Sequence, residues 1–92
     1  MIQLVSGRVQ GQVQGVGFRA HVKQAAVRLG VSGYALNLPD GQVEVLLCGP
    51  RESVEQVQQS VSQGPHGARV DNIGWQTLDP STAGQVEGFR IG

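Results

Sequence analysis

The stretch Gly11-Gln-Val-Gln-Gly-Val-Gly-Phe-Arg19 holds the residues of this chain whose types and spacing suit chemistry. It closes an alternating, β-branched run and opens a helical one, with Gly11, Gly15 and Gly17 placed for tight backbone turns. No lysine, serine or threonine lies between Gln12 and Phe18. It is therefore not a Gly-x-x-x-x-Gly-Lys-Ser/Thr nucleotide loop, and nothing in it suits Mg²⁺. What it offers is a row of unobstructed backbone N–H groups at a helix start, ended by the Arg19 guanidinium. Such a row fits an anion of the size of phosphate. A plain glycine-rich strand-to-helix turn with a surface arginine accounts equally for the glycine pattern taken alone.

The elements around this stretch must place it. Residues 2–13 read as a strand, with Val5, Val9 and Val13 on one face and Ser6, Arg8, Gln10 and Gln12 on a wet one. From Phe18 the period changes: Phe18, Val22, Ala25, Ala26 and Leu29 form a helical stripe, closed by Gly30. Val31 to Leu38 reads as a strand, Leu38-Pro-Asp-Gly41 as a turn, and Gln42 to Cys48 as a second strand. Gly49-Pro50 starts a second helix with a narrow stripe of Val54, Val57 and Val61, and Gly64-Pro65 stops it. Residues 68–78 form a further strand around Val70, Ile73 and Trp75, with a bulge expected near Asn72 where the alternation slips. Asp79 to Gly84 is a polar turn, and Val86 to Ile91 a short last strand that is expected to continue the fourth.

The order β-α-β-β-α-β predicts an α+β, ferredoxin-like fold: one antiparallel sheet with two helices on one face. A right-handed crossover makes the first and second strands parallel, with the third between them, so both end at the same sheet edge. The glycine loop and Asn37 therefore meet there, although they are distant in sequence.

Composition narrows the function. The 92 residues suit a single domain, 1–92. Seven basic and seven acidic residues cancel, which removes the field that collects nucleic acid. Aromatics are 4% of the chain, too few for base-stacking platforms. One cysteine, Cys48, forbids an internal disulfide, and His21 and His66 lack a ligand cluster, so no metal is expected. Without a leader or a long apolar run, the chain is expected to be soluble, cytoplasmic, off the membrane and monomeric.

Gly11-Gln-Val-Gln-Gly-Val-Gly-Phe-Arg19, followed by Gly33-Tyr-Ala-Leu-Asn37 and Asp40-Gly-Gln-Val-Glu44, resembles the acylphosphatase family over nearly the whole chain. Gly49, Gly64-Pro65, Val70 and Phe89-Arg-Ile91 extend the likeness. The resemblance implies metal- and cofactor-free hydrolysis of a carboxyl-phosphate anhydride to a carboxylate and inorganic phosphate. It implies phosphate binding by Gln14, Gly15, Val16, Gly17, Phe18 and Arg19, with Arg19 as the binding arginine and Asn37 positioning the attacking water. Read without the family, Asn37 is a residue before a hairpin and Arg19 a first-turn side chain.

The chain departs from the family pattern at Leu36, where members often have a basic residue. His21 is expected on another side of the helix, facing solvent. Cys48, Trp75 and Tyr34 read as packing residues, and Asp40 and Glu44 do not form a catalytic carboxylate pair. The alternative function is a non-catalytic phosphate- or protein-binding module on the same fold, because fold alone does not fix activity. An RNA-binding domain is disfavoured by Val43-Glu-Val-Leu-Leu-Cys48, which lacks basic and aromatic residues. Acylphosphatase-like domains also begin hydrogenase-maturation carbamoyltransferases. The chain's length and its lack of zinc-finger cysteines argue against that setting.

Overall fold

A computed structural model of the chain describes residues 1–84 and 86–92. The elements run β1 (Ile2–Gln12), α1 (Phe18–Leu29), β2 (Ser32–Asn37), β3 (Val43–Pro50), α2 (Arg51–Gln63), β4 (Arg69–Leu78) and β5 (Phe89–Ile91), with a 3₁₀ turn at Pro80–Ala83. The sheet order is β4-β1-β3-β2-β5. β3 is antiparallel to both β1 and β2. The first two strands are therefore parallel and separated by the third, as the crossover rule requires.

Val5, Val9, Ala35, Val43, Val45 and Leu47 alternate onto one face of the sheet and are buried there. Against them pack Phe18, Val22, Ala25 and Ala26 of α1 and Val54, Val57 and Val61 of α2. Both helical stripes thus face one core, and the valine-rich strands fill it with side chains stiff at χ1. Trp75 also lies on this face, directly over Gly7. A Cβ on Gly7 would lie 2.5 Å from Trp75 Cε3, so the missing side chain is what admits the indole.

The sequence reading needs correction at three places. The last strand does not continue β4; it pairs in parallel with β2 at the opposite edge, Phe89 beside Gly33 and Ile91 beside Ala35. The sheet is therefore mixed. Sequence periodicity cannot choose an edge, whereas the free edge of β2 offers Gly33 N–H, which donates to Gly88 O at 2.9 Å. Gly11 is not part of the loop. It stays in β1 opposite the bulge of β4, where pairing slips from Gln10–Asn72 to Gly11–Val70, and a Cβ there would overlap the Arg69 carbonyl. Pro50 caps α2 from the end of β3 rather than opening its first turn, because its ψ of 138° is extended.

Leu47 sits fully buried near the centre of β3, in the one core that both helices cover. Leu47→Ala is expected to lower stability by about 2–5 kcal/mol, a large share of the roughly 5–15 kcal/mol typical of a domain. Urea unfolding followed by circular dichroism measures it.

Candidate active site

The loop between β1 and α1 is shaped by two left-handed residues, Gly15 at φ 76° and Gly17 at φ 77°. A side chain at either would meet open space but would force a conformation that L-residues avoid. Gly17 takes the N-cap position of α1 without any side-chain cap, and the first turn carries no acidic residue. Among the described residues no protein acceptor takes the N–H groups of residues 14–19. Unpaired amides at the positive end of a helix form an anion site. They border a small cleft of about 170 Å³ lined by Val13, Gly15, Gly17, Phe18, Arg19, Ala20 and Ile91.

Three anchors hold the loop. Val13 and Phe18 are buried, so the loop leaves the core and returns to it within a few residues, and Val16 packs against the same core. Gln14 supplies the third. Its Nε2 donates to Leu38 O and to Gln42 O, each at 2.9 Å, and so ties the loop to the β2–β3 turn. The sequence places Gln14 among the phosphate contacts. The structure engages its side chain in this clamp, leaving only its backbone N–H free for an anion. A glutamine flanked by valine and glycine carries no sequence mark of such a bond, because its partners are main-chain carbonyls 24 and 28 residues away.

Arg19 and Asn37 converge on one atom. Arg19 Nη1 donates to Gly92 O at 2.7 Å, and Asn37 N donates to the same oxygen at 3.1 Å. Gly92 N in turn donates to Ala35 O at 3.0 Å, continuing the β5–β2 pairing. The chain after β5 therefore fixes the guanidinium beside the end of β2. Only one of the five guanidinium donors is used in this bond. Asn37 is exposed, and it shares the helix-bearing face with Ala35, two residues before it.

Cation placement adds a field. Arg8, Arg51 and Arg69 are paired with Glu44, Glu55 and Asp71. Lys23, Arg28 and Arg90 have no Asp or Glu partner among the described residues, Arg19 bonds the Gly92 oxygen instead, and all four belong to α1 or β5. Of these, Arg19 lines the cleft and Lys23 follows it one turn along α1, so the nearest cations favour approach of an anion although the formal charge is zero. The larger depression, about 530 Å³ on the open sheet face near Arg8, Gln10, Glu44 and Asn72, has its arginine and glutamate engaged with each other.

The remaining candidates are structural. His21 does not face solvent: it is half-buried, and its Nε2 lies 3.0 Å from Ser60 O. A carbonyl only accepts, so that nitrogen carries the proton, and the ring joins α1 to α2. Tyr34 donates to Glu44 Oε2 at 3.3 Å; burial first, then the Glu44 charge, holds its phenol above the usual value. Cys48 is free and half-buried within β3. Leu36, the departure from the family pattern, lies against Gly92 rather than lining the cleft beside the loop.

A ferredoxin-like domain with an uncapped, glycine-turned helix start beside an arginine and an asparagine defines a class: a small phosphate-handling α+β protein. Comparison carries this further. The sequence profile of the Acylphosphatase family matches residues 5–91, and the chain belongs to the acylphosphatase family. It is 44% identical over 87 residues to the acylphosphatase of Photobacterium profundum, covering 95% of this chain and 93% of that one. Identity to the Halorhodospira halophila acylphosphatase is 51% over 71 residues, 77% of each chain. The crystal structure of the Bacillus subtilis acylphosphatase superposes with a TM-score of 0.91 at 29% identity, over 100% of this chain and 99% of that one. The chain is thus an enzyme that hydrolyses the carboxyl-phosphate bond of acyl phosphates, not a non-catalytic binding module.

Gln14→Met keeps the side-chain volume and removes both clamp bonds. With each bond worth about 0.5–1.5 kcal/mol, inorganic phosphate should bind about tenfold more weakly while the fold persists. Calorimetric titration beside thermal unfolding checks this; unaltered phosphate affinity would show that the loop keeps its shape without the clamp.

Proposed function

We propose that the backbone amides of residues 14–19 and the Arg19 guanidinium bind the phosphoryl group of an acyl phosphate, and that Asn37 positions the attacking water. The observation that carries this reading is the row of unpaired N–H groups at the start of α1, beside an arginine and an asparagine joined through the Gly92 carbonyl. Water oxygen attacks phosphorus as the bond to the acyl oxygen breaks, and the electron pair leaves with the carboxylate. A carboxylate is a good leaving group, so little acid assistance is needed. The charge that develops spreads over the equatorial oxygens, where oriented amides and a guanidinium stabilise it. Arg19 presents parallel donors to two of those oxygens. Asn37 is no base at neutral pH; its amide orients the water, and a phosphate oxygen takes the water's proton.

In this reading no metal or cofactor is required, because amides and guanidinium supply the positive charge that a metal would otherwise bring. Residues 1–92 act as one acylphosphatase domain, monomeric and cytoplasmic. The free Cys48 thiol fits a reducing compartment.

Activity should survive exhaustive EDTA treatment, and inorganic phosphate should inhibit competitively. Loss of turnover on chelation, restored by Mg²⁺ or Zn²⁺, would remove this mechanism. Variants separate the two side chains. Arg19→Ala should raise KM and lower kcat, with little rescue by Arg19→Lys, which loses the paired geometry. Asn37→Ala should lower kcat by at least ~10²-fold, roughly 2.7 kcal/mol, while phosphate affinity changes much less. Steady-state kinetics and phosphate calorimetry on folded variants decide; near-normal kcat in Asn37→Ala would refute the water-positioning role.

A further inference from the structure

The cleft beside the loop adjoins a second concavity. Ala20 and Ile91 line both the cleft and a groove of about 490 Å³ whose other walls are Lys23, Gln24, Val27 and Arg28. Positions 20, 24, 27 and 28 follow the i, i+4, i+7, i+8 spacing, so they share one outward face of α1. Opposite them stands Ile91 of β5.

This groove is apolar where a solvated helix face would be polar. Val27 is 63% exposed and Ile91 41% exposed. Apart from Met1 and Ile2 at the chain start, they are the large apolar side chains left in water among the described residues. Lys23 and Arg28 line the rim and are not held in ion pairs. Their methylene stems extend the apolar surface while the charged heads stay hydrated.

We infer that this groove is the acyl-group subsite, and that the enzyme favours acyl phosphates with an extended apolar chain of up to about eight carbons. The inference rests on the loop of residues 14–19 being the phosphate site. An acyl group is bonded to the phosphoryl group, so it must leave the cleft by a mouth, and Ala20 and Ile91 form a wall common to mouth and groove. The seven residues from Ala20 to Val27 rise about 10 Å along the helix. An extended chain advances about 1.3 Å per carbon, given bonds of about 1.5 Å. A chain of seven or eight carbons therefore reaches Val27, and a longer one runs past the groove into water.

The test is steady-state hydrolysis of acetyl, butyryl, hexanoyl, octanoyl and decanoyl phosphate, each below its aggregation limit, with inorganic phosphate as inhibitor. The saturated carboxylates are leaving groups of nearly equal basicity, so the series reads contact with the groove rather than chemistry. A methylene half-removed from water changes affinity about twofold. KM should fall by that factor per methylene from butyryl to octanoyl phosphate and then level off. Val27→Asp, at an exposed position where the fold tolerates a charge, should flatten the series, and Val27→Leu should keep its slope. A flat series in the wild type, or an unchanged slope in Val27→Asp, with phosphate still competing, overturns the subsite alone. Failure of phosphate to compete overturns the loop assignment and this inference with it.

Discussion

Backbone amides left unpaired at the start of a helix must be answered by water or by an anion, and the loop before α1 is arranged so that protein cannot answer them. Gly15 and Gly17, both left-handed, turn the chain here, and among the described residues no acceptor takes the N–H groups of residues 14–19. The absence of a capping side chain and of an acidic residue in the first turn keeps the helix's positive end uncompensated. A side chain at position 17 would have to adopt that left-handed backbone at a cost, so no capping hydroxyl is offered there. Binding capacity is kept here at the expense of local stability.

Other parts of the molecule hold this arrangement in place. Phe18 and Val13 bury the ends of the loop, so the strained segment is short and its anchors are part of the core. The Gln14 clamp couples the loop to the turn after β2, and the Gly92 carbonyl couples Arg19 to Asn37. Both links cross from the β1–α1 connection to the end of β2. They are possible because the right-handed crossover makes β1 and β2 parallel, so their ends share one edge. Fold topology thus sets which residues can meet, and short polar links set how closely they meet.

What was legible in the sequence follows the range of the interactions. Helix stripes such as Val54, Val57 and Val61, and the bulge near Asn72, are local patterns of period and were readable from residue type. The edge to which β5 adds was not, because Phe89-Arg-Ile91 alternates equally well beside β4 or β2, and only the free donor of Gly33 and the chain's return path separate them. The same holds for His21 and Gln14. Each bonds a main-chain carbonyl far away in sequence, and a carbonyl is present at every residue, so composition cannot mark the partner. Gly11 shows the reverse error: its spacing matched the loop glycines, but close approach of Arg69 across the sheet explains it. Arg19 and Asn37 were singled out through the family's motif, whereas their common acceptor was visible only in three dimensions.

The central claim is that phosphate occupies the unpaired amides at the start of α1. The most direct measurement is a ¹H–¹⁵N titration of the ¹⁵N-labelled protein with inorganic phosphate at constant pH and ionic strength. The account predicts saturable shifts in the amides of residues 14–19 and in the Arg19 side-chain N–H, with a common dissociation constant and little change on the open sheet face. Shifts centred on Arg8, Gln10 and Asn72, or none at residues 14–19 at saturation, would contradict it.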